Sequence, residues 1–124
     1  MTAAFFTAVL GLAAAFGLPA ALGAAALQTR STRALKDALL FSTFPEIGSR
    51  AEHASFQAVA KQVKLVRYGL DCYAYALLAA GQIDLVIEAG LSAYDVQAPI
   101  AVIEAAGGVV CNWQGHPAHD GGQI

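Results

Sequence analysis

Charge is what this sequence has least of. Asp, Glu, Lys and Arg make up 13% of its 124 residues, about half the usual share of roughly 25%. No Lys/Arg cluster is present and the formal net charge is -2. Such a chain has no basic field for a nucleic-acid backbone, which excludes that class of partner. Cysteine is almost as scarce. Cys72 and Cys111 stand far apart with no CxxC or Cys/His spacing, which excludes a disulfide framework and a zinc finger. They read as reduced thiols of a cytoplasmic protein, with Cys72 buried. GxSxG, P-loop and GxGxxG patterns are missing, no Ser/His/Asp set can be assembled, and there is no internal repeat. The nucleotide-cradling and serine-hydrolase classes therefore have no support.

What is present is apolar. Hydrophobic residues reach 57%, above the usual range of about 45–50%. Residues 1–29 carry no charged side chain. That run is long enough to cross a bilayer, which takes roughly 20 apolar residues. No Lys or Arg precedes it, Pro19 interrupts it, and Arg30 and Arg33 follow it. A leader, a membrane anchor and a mis-set start are the three readings of this segment. The first two make membrane association the alternative to a cytoplasmic location.

From residue 30 to 124 the pattern is that of one α/β domain. Strands are predicted at Leu39–Thr43, Lys64–Tyr68, Ile83–Glu88 and Val109–Trp113. Helices are predicted over 51–63, 71–80 and 94–106. Ala51, Ala54, Ala58, Val59 and Val63 would form the buried face of the first helix. Asp71 stands at an N-cap position and Gly81 at a C-cap position of the second. Gly107-Gly108 would stop the third, and Pro99 would fall early in it, where a missing N–H costs little. Alternating strands and helices imply a sheet layered between helices. The tail GHPAHDGGQI reads as a turn-rich loop.

Chemistry, if any, lies between Gly69 and Val110, where four carboxylates are spaced through an uncharged frame: Asp71, Asp84, Glu88 and Asp95. Glu88 ends a predicted strand, and ligands in open α/β sheets bind beyond the carboxyl ends of strands. Asp71 opens the helix after another strand and reaches the same edge, or serves as an N-cap. Asp95 lies at a loop-to-helix junction. A carboxylate there stays ionised and can face a metal or phosphate, or it can simply favour the first helical turn. Asp84 and Glu104 read as solvated. His116 and His119 sit in a Gly/Pro loop without a third ligand.

Two stretches carry a resemblance. YDVQAPIAVIEAAGGVV, residues 94–110, resembles the second signature of the inositol monophosphatase family. GLDCYAYALLAAGQIDLVIEAGL, residues 69–91, is similar to its histidinol-phosphatase branch. The resemblance implies a layered α/β/α/β/α fold, magnesium (Mg2+) as cofactor and a small phosphorylated metabolite as partner, with a possible homodimer. It makes Asp95 a metal ligand and Asp71 and Glu88 substrate-binding residues. The family's first signature, Asp-Pro-[Ile/Leu]-Asp-Gly-Thr, does not occur in the sequence, so the resemblance covers the C-terminal, substrate-side half of the fold. The expected activity is hydrolysis of histidinol phosphate or a related monoester, inositol phosphate being the other family substrate. A truncated, inactive chain, a non-catalytic remnant and a membrane-anchored small domain are the rival expectations.

Overall fold

The computed structural model describes residues 21–22, 25–32 and 34–124. Most of the apolar segment 1–29 lies outside the described residues. Its described part includes a short antiparallel pair, β1 (Ala21–Leu22) with β2 (Ala25–Ala26). A single 3-10 turn, Leu35–Asp37, then leads into the sheet.

That sheet is parallel and three-stranded, in the order β4 (Leu65–Tyr68), β3 (Leu39–Ser42), β5 (Leu85–Val86). Parallel neighbours need crossover connections, and helices supply them. Helix α1 (Arg50–Ala60) joins β3 to β4, and α2 (Cys72–Ala79) joins β4 to β5. Helix α3 (Ala93–Ala105) packs on α2. Side chains alternate across β5, as the strand period of two requires. Leu85 and Ile87 pack with Leu40, Ile47 and Phe56 on the α1 side. Val86 packs with Tyr75, Val96, Ile100 and Ile103 on the α2–α3 side. The layered α/β arrangement predicted from the sequence is present.

Several expectations need correction. Helix α1 ends at Ala60, and Ala51, Ala54 and Ala58 are exposed. The helix is turned so that Phe56 enters the core, because one aromatic ring buries more apolar area than small alanines can. A capping box starts it: Ser49 N–H donates to Glu52 Oε2 and Glu52 N–H donates to Ser49 Oγ. The strand at 83–88 shortens to Leu85–Val86, because Glu88 leaves the ladder and exchanges both backbone hydrogen bonds with Ile124. Val109–Trp113 forms no strand. The Asn112 side chain accepts from the N–H groups of Gln114 and His116, and this turn draws the chain out of an extended path. Helix α3 begins at Ala93, so Pro99 is well inside it and removes the N–H that would bond the Asp95 carbonyl. The tail is not only loop: β7 (Gly121–Gly122) pairs antiparallel with β6 (Leu91–Ser92). A Cβ at position 121 would stand 2.5 Å from the Leu91 carbonyl oxygen, so only glycine permits this approach. Cys72 and Cys111 are free thiols, and Cys72 is exposed, not buried.

Asp84 is the largest departure. It is not a solvated face residue, because its side chain is 5% exposed and knots three segments together. Leu39 N–H donates to its Oδ2 at 2.8 Å, Thr32 Oγ1 donates to its Oδ1, and Arg30 lies 3.4 Å from Oδ1. This knot lies where β3 and β5 begin, away from the carboxyl ends of the strands.

Candidate functional site

A polar residue lies shortly beyond each parallel strand. Thr43 follows β3, Asp71 lies three residues beyond β4, and Glu88 lies two beyond β5. Together with Asp95 near the start of α3, they line one cavity of about 590 Å³. All three residues singled out in the sequence as candidate ligand contacts, Asp71, Glu88 and Asp95, are therefore brought together. Asp84 is not among them, and His116 and His119 sit in the tail outside the cavity.

The three carboxylates are held in different ways. Glu88 is 4% exposed. Thr43 N–H and Thr43 Oγ1 both donate to its Oε1, at 2.7 and 2.8 Å. Burial pushes the Glu88 carboxyl above its ordinary range; the Thr43 hydrogen bonds oppose that, and the charge of Asp71 adds to it. Asp95 is exposed, and its Oδ2 accepts from Ser92 N–H at 2.8 Å, so the helix-stabilising role open to it from the sequence is realised. Asp71 makes no side-chain cap on α2, although its position suggested one. It lies instead on a strained turn, with Leu70 at φ 75° and Asp71 at φ 41°. Left-handed backbone at residues other than glycine costs roughly 1–3 kcal/mol each and clusters at functional sites.

Among the described residues no Lys, Arg or His lines this cavity. Its remaining walls include Cys72, Tyr75 and Pro99, and two exposed aromatics, Phe44 and Tyr94. Sequence reasoning missed Thr43 and Tyr75. Thr43 had a usable signal, since it follows a strand at the same edge as Glu88. Tyr75 had none, because a tyrosine in CYAYALLA reads as ordinary helix core. Burial, followed by the charges of Glu88 and Asp95, pushes the Tyr75 phenol up, so it stays protonated.

The donor set does not fit a complete magnesium centre. Among the described residues no group of three or more His, Cys, Asp or Glu side chains is placed to hold a metal ion. Asp95 offers one carboxylate, already sharing an oxygen with Ser92 N–H. Magnesium requires near-octahedral oxygen coordination, which one such carboxylate does not organise.

The sequence pattern of the Inositol monophosphatase family matches residues 3–122. The chain belongs to the inositol monophosphatase family. It is 47% identical over 89 residues to the bifunctional phosphatase IMPL2, chloroplastic, of Arabidopsis thaliana, covering 72% of this chain and 26% of that protein. The inositol monophosphatase of Zymomonas mobilis shares its fold with a TM-score of 0.82 and 35% identity, over 86% of this chain and 43% of the other. The inositol monophosphatase of Anabaena (Nostoc) sp. PCC 7120 matches with a TM-score of 0.70 and 29% identity, over 82% and 42%. The 124 residues thus correspond to part of the layered fold of these family members. Among the described residues no helix is long and apolar enough to cross a membrane.

Proposed function

We propose that this chain carries the substrate-binding side of a magnesium-dependent phosphomonoesterase whose substrate is histidinol phosphate or a closely related cationic phosphate monoester. The observation that carries the reading is the convergence of Asp71, Glu88 and Asp95 on one cavity that no basic side chain lines among the described residues. Three uncompensated carboxylates disfavour an anion and favour a cation. Hydrogen bonds between a carboxylate and a charged donor are about twice as strong as neutral ones. The exposed rings of Phe44 and Tyr94 add faces on which a cation can rest.

In this reading Glu88 and Asp71 receive the ammonium and imidazole of the organic half. Thr43 holds Glu88 in place through its two hydrogen bonds. Asp95 would offer one carboxylate to a magnesium ion, whose chemistry would be to polarise the phosphate. The chain spans 26% of its curated relative and 42–43% of the two solved structures above, so the activity of a whole enzyme is a proposal and not a property of these 124 residues. The possible homodimer belongs to the same proposal.

One consequence is direct. The purified 124-residue chain, supplied with magnesium and histidinol phosphate, is expected to release no inorganic phosphate above the no-protein control. A phosphate-release assay over several hours decides this. Sustained, magnesium-dependent release would show that these residues hold a working metal centre and would overturn the partial-site reading.

A further inference from the structure

A second cavity, of about 540 Å³, is walled largely by apolar side chains such as Leu78, Leu85, Ile103 and Val110. The two have a single lining residue in common, Tyr75. Tyr75 is 5% exposed and packs in the core between α2 and α3. Among the described residues its hydroxyl meets no hydrogen-bond partner, and apolar packing holds the ring where it touches both spaces.

We propose that Tyr75 sets the depth of the carboxylate cavity, and so limits its ligands to cations with short organic tails. The proposal rests on the reading of that cavity as a cation site. A cationic head held by Asp71 and Glu88 leaves its tail two ways to go: out past the rim, or inward against the Tyr75 ring. Beyond the ring, the apolar space would reward a longer tail by about fourfold in affinity per buried methylene. The ring withholds that reward. Selectivity for small substrates then comes from a steric wall, the ring itself, and not from a polar contact.

Primary alkylammonium ions from propyl to octyl test this, titrated into the full chain by isothermal calorimetry. In the wild type, affinity should stop rising once the tail reaches the ring. Tyr75→Phe removes only an unpartnered hydroxyl and should show the same plateau. Tyr75→Ala and Tyr75→Leu open the wall, and affinity should continue to rise by about fourfold per added methylene. Tyr75→Leu keeps an apolar side chain of moderate size in the core, so the test survives if the alanine variant fails to fold. Affinity that climbs without a plateau in the wild type overturns the proposal. So does a leucine variant that levels off at the same tail length. If propylammonium itself does not bind the wild type at millimolar concentration, the cation reading falls and the depth limit with it. Binding without a plateau leaves the cation reading standing and removes only the depth limit.

Discussion

Replacing Asp84 with alanine is expected to lower the melting temperature by roughly 10 °C. The Asp84 carboxylate accepts from the N–H of Leu39, the first residue of the central strand, and from Thr32, and it pairs with Arg30. Alanine leaves the Leu39 N–H without its acceptor. A buried donor stripped of its partner costs about 1–3 kcal/mol. The ion pair adds little, because Arg30 is 38% exposed and water screens it. The Thr32 hydroxyl loses its acceptor as well, and the segment before β3 loses one of its ties to the rest of the fold. The sum is about 2–4 kcal/mol, and a domain of this size loses roughly 3–5 °C per kcal/mol. Asparagine at 84 keeps one acceptor oxygen and should cost about half as much. Thermal denaturation followed by circular dichroism gives both numbers. An alanine variant that melts within a degree or two of the wild type would show that the knot carries no stability.

Glu88→Gln should act in the opposite direction on stability and strongly on binding. The glutamine oxygen can accept both Thr43 hydrogen bonds, so the local geometry is kept. The buried charge disappears. Because burial holds the folded-state pKa of Glu88 above its ordinary value of 4.5, the folded chain keeps this proton more tightly than the unfolded chain does. That contribution to stability is complete below the ordinary value and is lost as pH rises through the folded one. The wild type should therefore lose stability relative to the glutamine variant as pH climbs from 4.5 towards neutrality. At pH 7 the variant should melt above the wild type, and the difference should shrink as the pH falls towards 4.5. Binding of a small cation should weaken by about tenfold or more, because a charge-assisted contact is lost. A variant that is less stable and binds as well as the wild type would mean that Glu88 serves the fold and not a ligand.

The two predictions separate the two edges of one sheet. At the edge where the strands begin, a carboxylate ties the chain together. At the edge where they end, Asp71, Glu88 and Asp95 line a cavity, and burial of Glu88 there works against its charged form.

Much of this arrangement was legible in the sequence. Apart from β6, the order of strands and helices from Leu39 to Ala105 could be read from apolar periodicity, because a parallel sheet built from crossovers leaves few alternatives. Glu88 and Asp71 could be placed at one edge for the same reason. Asp84 could not be read correctly. Its partners, Thr32 and Arg30, lie more than fifty positions away, and no local pattern signals a contact at that separation. The turn that takes residues 109–113 out of an extended path depends on where Asn112 directs its side chain, and apolar runs such as VVCNW carry no trace of that. The buried face of α1 follows Phe56, whose single ring outweighs the small apolar areas of Ala51, Ala54 and Ala58. The role of Ile124 in capturing the Glu88 backbone is again a long-range pairing that spacing does not show.

The most direct test of the cation site is a nuclear magnetic resonance titration of the 15N-labelled chain with histidinol, and separately with myo-inositol at the same concentration. Histidinol should shift the amide signals of Thr43, of residues 69–72 and of residues 88–90, while the neutral polyol leaves them in place. Equal shifts from both ligands, or none from histidinol at millimolar concentration, would contradict the account.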